Sequence, residues 1–594
     1  MDAAMNKNTA VLVTAGDFKT RGGWVLDTQF MGQMGAPYLL AHGLGRPVSD
    51  AQAAVRFKKP GKYHAYVYTF NWVAPWKPQY APGVFQVLVN GEALSSEFGS
   101  QGENWGWQYG GAVSVDNPDA IVTLHDLTGF EGRCGLVLFT ENKPSALPDG
   151  TDEIYELIDT LKGTDEAPEI PSYDLVVCGG GIAGCCAALS AARRGLSVAL
   201  IQDRPLIGGN NSSEVRVWLG GVTNLEPFPG LGNIVSEFEQ QHIGHYGSVN
   251  RAPLYEDDRK LSLLSAEQNI TLYLSHILTG AVCEGGDIRE VRMFNVEQSR
   301  FLSVKGALFV DATGDGTLGA LCGADYEVTT NGHMGMTNFW YVEDTGKPQE
   351  FPRCPWAIDL SDVEFPGRGE VKDVYGNQRE ISLGCWFWEG GCELDPIEKA
   401  EYARDLNLRA MYGAFDTLKN VDHDYETYKL GFSAYIGGKR ESRRLIGDLL
   451  LTKADVAHAY RYEDGCIPST WDLDVHYPDK RFYGAFKEGD GFLTKDYREC
   501  FETPYFIPYR CLYSRNVGNL FMAGRDVSVS HDALGTARVM RTGGMMGEVV
   551  GVAAKLCREH GASPRQIYEE HLEELMDTLK AIPKQMALEN RDNF

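Results

Sequence analysis

Two histidines have side chains suited to acid–base chemistry. His531 lies in the segment VSVSHDALG, shortly after an apolar run that ends at Met522, and His333 lies in HMGMTNF. An imidazole titrates near neutral pH, so either histidine could accept a hydroxyl proton while a hydride leaves carbon, or return one in the reverse reaction. For His531, contact with a bound ligand and a purely structural role are the alternatives.

The arginines are concentrated in GGKRESRRLIGD, where Arg440, Arg443 and Arg444 fall close together with Glu441 between them. Guanidinium groups can hold a carboxylate or sulfate in a bidentate manner, so this segment is a candidate anion clamp. A salt-bridged helix face is the alternative interpretation. Substrate-side candidates elsewhere are Glu214, Arg216 and Arg538, and the predicted catalytic residues are His531, His333, Arg216 and Arg443.

Metal and serine-hydrolase chemistry have little support in the sequence. The 13 histidines show no HExxH spacing, only one pair, His242 and His245, is spaced as HxxH, and no GxSxG segment accompanies a catalytic triad. We therefore predict no metal site. The 13 cysteines lack CxxC spacing, which favours reduced thiols.

A glycine-rich turn lies between a strand and a helix at Gly179–Gly184. It follows the apolar run Leu175–Cys178 and opens an alanine-rich helix, and a second apolar run follows that helix. Glycines in this context allow a tight turn and close approach of the backbone to a pyrophosphate, and the helix N-terminus supplies free N–H groups. The sequence therefore predicts a dinucleotide-binding βαβ unit.

Ribose recognition departs from the usual pattern. An acidic residue is expected at the end of the second strand, but Gln202 occupies that place and Asp203 follows it. Gln202 could bind the ribose hydroxyls itself, or Asp203 could do so if the strand ends one residue later.

Three separated segments together resemble a known family. They are the βαβ unit with GGNNSSE at 208–214, DATGDG at 311–316, and NLFMAGRD at 519–526 followed by the helix around 538–551. The chain from 173 to about 555 resembles the FAD-dependent oxidoreductases with a glutathione-reductase-like fold. It is most similar to a bacterial branch that carries GGNxSSE and is distantly related to flavin fumarate reductases.

The resemblance implies FAD as the cofactor in preference to NAD. It places a ribityl-binding carboxylate at Asp526 and a glycine-lined helix entry at 542–547, facing the flavin edge that gains negative charge on reduction. The predicted cofactor-binding residues are Gly179, Gly181, Ile182, Ala183, Gly184, Gln202, Asp203, Arg204, Gly208, Gly209, Asn210, Ser212, Ser213, Ala312, Thr313, Gly314, Gly524, Arg525, Asp526, Arg538, Thr542, Gly543 and Met545.

The elements that must position these residues belong to three regions. Short alternating runs with turn signals predict an all-β sandwich over 1–145, which resembles carbohydrate-binding modules, and 146–172 reads as a linker. We predict an α/β Rossmann-type FAD-binding domain in two parts, 173–335 and 506–560, with an inserted α+β substrate domain over 336–505. An amphipathic C-terminal helix is expected within 561–594.

Tryptophans are frequent in the N-terminal region. Five of the 11 tryptophans lie there: Trp24, Trp72, Trp76, Trp105 and Trp107. Exposed members of this set could stack on sugar rings, and burial in a core is the alternative.

Composition excludes several classes of protein. The chain has 594 residues and a formal net charge of −26, which argues against nucleic-acid partners and anionic membranes. No apolar stretch reaches the roughly 18–20 residues that a membrane span needs, and the N-terminus does not read as a signal peptide, so a cytoplasmic location is expected.

These observations together predict an FAD-dependent oxidoreductase that exchanges a hydride with a small polar substrate. A carbohydrate or carbohydrate-derived acid is preferred because of the tryptophans and the arginine cluster. The alternatives are fumarate-reductase-like chemistry on an unsaturated acid, a non-redox lyase or hydrolase on glycans, and a glycan-binding protein with a vestigial flavin fold. The electron acceptor and the oligomeric state are left open.

Overall fold

A computed structural model describes residues 5–163, 169–479, 491–501 and 503–585. In its N-terminal region every strand lies between Ala10 and Thr140. The strands are β1 (Ala10–Thr14), β2 (Val25–Asp27), β3 (Tyr38–Ala41), β4 (Ala51–Arg56), β5 (Gly61–Thr69), β6 (Phe85–Val89), β7 (Glu92–Ala93), β8 (Gly106–Val115), β9 (Asp119–Asp126), β10 (Gly132–Cys134) and β11 (Leu136–Thr140). The helices are α1 (Met31–Met34) and α2 (Thr151–Lys162).

These strands form antiparallel sheets around one apolar core. Two sheets have four strands, in the orders β1-β11-β5-β8 and β4-β9-β6-β7, and a third has the order β10-β3-β2. Strand β4 shows why they pack this way, because its alternate residues Ala51, Ala53 and Val55 are buried while those between them are exposed. Helix α2, inside the predicted linker, packs into the same core through Ile154, Leu157 and Ile158, whose spacing puts them on one helix face.

The tryptophans of this region pack against protein. Trp24 and Trp72 are buried. Trp76 stacks on Tyr402, Trp105 donates to Glu401 and Trp107 donates to the Pro148 carbonyl. Large aromatic rings are commonly used for burial, and their placement here gives no support to sugar stacking.

The second region is a mixed sheet of seven strands. They are β12 (Ser172–Cys178), β13 (Val198–Gln202), β14 (Ile270–Leu274), β15 (His276–Glu284), β16 (Asp287–Asn295), β17 (Arg300–Asp311) and β29 (Leu520–Met522), and the main path runs β14-β13-β12-β17-β16-β15. Strands β12, β13, β14, β17 and β29 pair in parallel, so their carboxyl ends meet at one edge. The last strand of this set, β29, comes from more than 200 residues further along the chain than β17.

Helix α3 (Ile182–Ala192) and helix α10 (Met540–His560) pack closely beside this sheet. A Cβ atom at Gly547 would lie 2.1 Å from the Ala183 carbonyl oxygen, so the two helices approach at a distance that only glycine permits there. The other helices of the second and third regions are α4 (Asn233–Glu237), α5 (Asp257–Ser265), α6 (Thr317–Leu321), α7 (Ala400–Asp416), α8 (Lys453–Ala457), α9 (His531–Ala537) and α11 (Pro564–Ala581).

Short strands and helix α7 form much of the chain between residues 326 and 508, which we call the middle segment. The strands are β18 (Tyr326–Glu327), β19 (Met336–Thr337), β20 (Trp340–Asp344), β21 (Glu389–Gly390), β22 (Tyr428–Ser433), β23 (Gly438–Lys439), β24 (Arg444–Leu445), β25 (Gly465–Ser469), β26 (Leu473–Pro478), β27 (Thr494–Glu499) and β28 (Tyr505–Pro508). Its apolar core includes Phe70, Trp72 and Phe130 of the N-terminal region, so the two regions share a packed interface.

Buried ion pairs cross the same interface. Arg404 of α7 contacts Asp27 at 2.9 Å and Asp405 at 2.7 Å, and Arg133 contacts Asp405 at 2.6 Å. Both guanidinium groups are completely buried. Among the described residues no helix is both long and apolar enough to cross a membrane.

Candidate active site

A cavity of about 760 Å³ lies at the carboxyl edge of the parallel strands. It extends from the glycine turn after β12 to a polar, aromatic-rich part formed by the middle segment. Crevices at this edge are the usual ligand sites of open α/β sheets.

The geometry of the glycine turn suits a pyrophosphate. Gly179 has a φ of 107°, and a Cβ atom at Gly184 would lie 1.9 Å from the Gly179 carbonyl oxygen. A Cβ atom at Gly181 would meet only the Cα atom of Gly209, at 4.0 Å, so the backbone there is open toward the cavity. The turn therefore offers a bare backbone and the N-terminus of α3 to an anion.

Gln202 is used within this turn. Its Oε1 accepts a hydrogen bond from the Gly180 N–H at 2.8 Å, and its Nε2 donates to the Leu206 carbonyl at 3.0 Å. Asp203, the next residue, lines the cavity. Of the two candidates for ribose recognition, Asp203 is the one whose carboxylate is left to face a ligand.

Most of the predicted cofactor-binding residues line the cavity. Those that do so are Gly179, Gly181, Ile182, Ala183, Gln202, Asp203, Arg204, Gly208, Gly209, Asn210, Ala312, Thr313, Gly314, Gly524, Arg525, Arg538 and Gly543. Gly184, Ser212, Ser213, Asp526, Thr542 and Met545 are not among the lining residues.

Asp526 lies buried behind the cavity wall. Its Oδ2 accepts a hydrogen bond from the Gly314 N–H at 3.0 Å. Burial, together with the neighbouring Asp311 carboxylate, raises the pKa of Asp526 well above its usual range. Asp526 therefore favours its protonated form, and its hydrogen bond to the Gly314 N–H orders the loop that carries Gly314.

A cluster of positive charge lines the cavity beside Gly314. Asp315 accepts from Lys439 Nζ at 2.6 Å and from Arg525 Nη2 at 2.9 Å, and its carbonyl accepts from Arg443 Nη1 at 3.1 Å. Although burial opposes ionisation, the Lys439 and Arg525 charges hold the pKa of Asp315 at about 2. Three cations against one carboxylate leave this wall positive, which suits a phosphate-bearing ligand.

A second group of arginines lines the far part of the cavity: Arg440, Arg498 and Arg538. Arg538 Nη2 lies 3.5 Å from Asp474 Oδ2, and Arg498 Nε lies 3.8 Å from Asp474 Oδ1. Burial alone would raise the pKa of Asp474, but the His476 hydrogen bond and the Arg538 charge lower it. Asp474 is therefore an ionised carboxylate that holds the arginines near the cavity.

His476 lies between two carboxylates in this group. Its Nδ1 lies 2.7 Å from Glu389 Oε2, and its Nε2 lies 3.4 Å from Asp474 Oδ1. The pKa of Glu389 is held at about 2 because the Arg440 and His476 charges outweigh its complete burial. The imidazole is 4% exposed and lines the cavity, with Asp474 Oδ1 beside its Nε2.

Aromatic side chains complete this part of the wall. Trp218, Trp386, Trp471, Tyr246 and Tyr375 all line it. The indole N–H groups of Trp386 and Trp471 are buried and have no hydrogen-bond partner among the described residues. Buried donors of this kind are normally paired, so they are available to a polar ligand.

The predicted catalytic residues fall in different places. Arg443 lines the cavity, whereas His531, His333 and Arg216 are not among the lining residues. His531 Nδ1 contacts Glu441 at 2.8 Å, and burial lowers the pKa of His333. Arg216 has its guanidinium carbon 3.3 Å from the centre of the Phe432 ring and donates to the Asn250 carbonyl.

The three arginines of the predicted clamp do not point to one place, because strand β24 begins at Arg444. Arg440 and Arg443 face the cavity, but Arg444 bonds to Glu441 and to the Val529 carbonyl. Glu214 pairs with Arg204 at 2.8 Å. Arg440 lines the same cavity as Arg498 and Arg538, which lie far from it in the sequence.

His476, Asp474 and Arg498 were not predicted from the sequence. Hairpin β26–β27 puts Asp474 opposite Arg498 and His476 opposite Asp496. The spacing of Asp474 and His476, and of Asp496 and Arg498, could have indicated a charged strand face, because residues two apart lie on the same face of a strand.

Comparisons with known proteins identify the family of this chain. A family model described as FAD dependent oxidoreductase matches residues 174–579, about two thirds of the chain. A glycerol-3-phosphate dehydrogenase of Mycobacterium leprae is 46% identical over 54 residues, which are 9% of each protein. A digeranylgeranylglycerophospholipid reductase 1 of Methanococcoides burtonii is 28% identical over 169 residues, 26% of this chain and 40% of the relative. The chain therefore aligns with less than half the length of these relatives.

Solved structures show a distant likeness. A geranylgeranyl bacteriochlorophyll reductase-like protein of Thermoplasma acidophilum matches with a TM-score of 0.32 and 14% identity, over 70% of this chain and 89% of the other. A quinol-fumarate reductase matches with a TM-score of 0.33 and 10% identity, over 69% and 76% of the two chains.

Proposed function

Because the chain belongs to the FAD dependent oxidoreductase family, we propose that it exchanges a hydride with a small polar substrate that carries a carboxylate. A carbohydrate-derived acid is the preferred example. The observation that carries the proposal is the group Arg440, Arg498 and Arg538, which lines the same cavity as the glycine turn. Bound FAD supplies a two-electron partner that takes or gives the hydride at flavin N5.

The arginines orient the substrate in this proposal. Guanidinium groups bind carboxylates in a fixed, bidentate geometry, and the buried Asp474 and Glu389 hold them in place. The tryptophans of the wall offer apolar faces to the carbon skeleton and two unpaired indole N–H groups to its hydroxyls.

His476 is the proposed proton-transfer residue. In the oxidative direction its Nε2 accepts the proton of the substrate hydroxyl while the hydride leaves the same carbon, so that the alcohol becomes a carbonyl. Glu389 holds Nδ1 at 2.7 Å and stabilises the imidazolium that forms. The cavity wall favours His476 for this role over His531 and His333 because it includes only the first of the three.

The domain division is part of the same proposal. The sheets of residues 10–140 form a β-sandwich, and the segment 336–505 supplies the substrate side of the site. In support, Arg440, Asp474, His476 and Arg498 all come from that segment.

The test is anaerobic titration of the FAD-loaded protein with D-galactose, D-galacturonate and fumarate. We expect D-galacturonate or a related sugar acid to bleach the oxidised flavin band and neutral D-galactose to leave it unchanged. Bleaching by the neutral sugar alone would contradict the carboxylate requirement. Failure of the purified protein to retain or take up FAD would contradict the proposal as a whole.

A second candidate function has support from the same arginines. Reduction of an unsaturated acid needs cations for the carboxylates and a proton donor, and a lining arginine could fill either role. In that case pre-reduced protein is reoxidised by fumarate, and no sugar acid reduces the oxidised flavin.

A further inference from the structure

Residues of the N-terminal region form part of the cavity wall. They are Thr28, Gln29, Gly32, Gln33, Thr151, Asp152 and Tyr155, from the β2–α1 segment and helix α2. We call this set the N-terminal wall. It lies outside the residues matched by the family model, which begin at 174.

The N-terminal wall lies at the adenosine side of the cavity. Asp203, which follows β13, marks that side because a residue after this strand binds the ribose of a dinucleotide. The Ser275 N–H, just before β15, donates to the carbonyl of Arg204, the neighbour of Asp203, at 3.1 Å. His276 to Thr279, at the start of β15, line the cavity, and Ile277 belongs to the apolar core of the N-terminal region. Tyr155 also packs on Phe301 of the neighbouring strand β17.

Two hydroxyl groups in this part of the cavity have no partner. Thr28 is only 3% exposed, and its Oγ1 makes no hydrogen bond within the described residues; the same is true of Thr279 Oγ1. Buried hydroxyls are normally paired, so both fit contacts with the polar groups of a ligand. The space beside Gly32, a lining residue, is open, because a Cβ atom there would meet no atom within 4 Å.

Hydrogen bonds fix the N-terminal wall to the rest of the cavity. Gln29 Oε1 accepts from the Gly437 N–H at 2.8 Å, and Gln33 Nε2 donates to the Ile397 carbonyl at 2.9 Å. Thr151 Oγ1 donates to the Gln33 carbonyl at 3.0 Å, which joins α2 to α1. Gly437 and Ile397 are themselves lining residues, so the wall is held in register with the site.

We propose that the N-terminal wall holds the adenosine half of FAD, with Thr28 and Thr279 as hydrogen-bonding partners. The N-terminal region is then a working part of the cofactor site rather than an accessory module. This inference rests on the FAD site of the proposed function.

The first test uses Thr28→Val, which removes the hydroxyl and keeps the shape. The dissociation constant of FAD for the apoprotein, measured by quenching of FAD fluorescence, should rise about three- to tenfold because one hydrogen bond is lost. The melting temperature of the apoprotein should stay the same or increase, since an unpaired buried hydroxyl is gone. A merely structural role of Thr28 would lower the melting temperature and leave FAD affinity unchanged.

Thr140→Val is the matched control. Thr140 is also fully buried with an unpaired hydroxyl, but it lies in β11 and does not line the cavity. Its replacement should leave the FAD dissociation constant within about twofold of the wild-type value.

The second test fills the cavity at Gly32. Gly32→Phe should weaken FAD at least about tenfold and weaken the competition of ADP with FAD in parallel, because ADP carries the same adenosine. Gly61→Phe, at another open glycine of the N-terminal region away from the cavity, should leave both unchanged. Wild-type affinity in both Gly32→Phe and Thr28→Val would overturn this inference alone, whereas absence of FAD binding to the wild type would overturn the proposed function too.

Discussion

Asp526 and Asp311 are two carboxyl groups buried side by side beneath the cavity. Asp311 accepts hydrogen bonds from the Thr313 and Gly319 N–H groups. Burial and the neighbouring Asp311 carboxylate raise the pKa of Asp526, which favours a proton on that carboxyl group. A proton shared by the two groups would avoid two adjacent buried negative charges.

The residue-scale prediction concerns this shared proton. Asp526→Asn keeps a donor toward Asp311, so we expect FAD content close to wild type. Asp526→Ala removes the donor and the acceptor of the Gly314 N–H, so we expect a loss of about 1–3 kcal/mol of stability and of most bound FAD. The measurement is the flavin-to-protein absorbance ratio together with the melting temperature, and equal FAD loss in both variants would refute the shared proton.

Single residues also show where sequence reasoning ends. Gly179, Gly181 and Gly184 were predictable because a local strand–turn–helix pattern fixes what they do. His476 was not, since its partner Glu389 is 87 residues away and the two meet only through tertiary packing. Arg444 shows the converse. Its closeness in sequence to Arg440 and Arg443 predicted a shared anion clamp, but its side chain bonds to Glu441 and to the Val529 carbonyl instead.

At the scale of elements, helix α10 caps helix α4 through one buried carboxyl group. Glu548 accepts hydrogen bonds from the Gly232 and Val235 N–H groups, both at 3.1 Å. Burial raises its pKa from 4.5 to about 7, against the opposing effect of those hydrogen bonds. The cap therefore titrates near neutral pH.

The sign of the resulting pH dependence follows from linkage. Between about pH 4.5 and 7 the unfolded chain releases the Glu548 proton while the folded chain keeps it, so stability falls as pH rises. The full effect is on the order of 3 kcal/mol and is complete above the folded pKa. We expect the wild-type melting temperature to fall relative to that of Glu548→Gln as pH is raised from about 5 to 8.

Glu559→Gln on the same helix is the control for this prediction. Glu559 is about half exposed and, within the part of the chain that the structure describes, forms an ion pair with Lys555 four residues earlier. Its replacement should give a melting temperature that follows the wild type across the whole range. Parallel curves for wild type and Glu548→Gln would show that the cap does not titrate there.

Elements were predictable where their signals are local. The parallel strands around the glycine turn and the short strands of the N-terminal region follow from apolar runs and turn residues. The packing of α2 into the apolar core of the N-terminal region was not predictable. An amphipathic pattern indicates that one helix face is buried, but it does not identify the element against which that face packs.

At the scale of the whole molecule, helix α7 joins the N-terminal region to the middle segment by buried charge. Arg404 forms ion pairs with Asp27 and Asp405 and donates a hydrogen bond to the Tyr38 hydroxyl. Removing one member of such a network leaves the opposite charges buried without compensation.

We therefore predict that Arg404→Met destabilises the protein by about 3–5 kcal/mol. Adding Asp27→Asn should recover part of that loss, since it removes one of the uncompensated charges. Thermal unfolding provides the measurement, and Arg56→Met, which breaks an exposed pair with Asp119, should cost about 0–1 kcal/mol. A loss from Arg404→Met no larger than this control would contradict the role of the network.

The pairing of β29 with β17 governs the order of events during synthesis on the ribosome. Strand β1 finds its partner β11 within the first 140 residues, so the nascent N-terminal region can fold while translation continues. Strand β17 can pair with β12 and β16 early, but its contact with β29 needs Leu520, and α3 needs α10 as its packing partner. The flavin site is thus finished only after helix α10 has been synthesised, and we expect cofactor loading to follow that point.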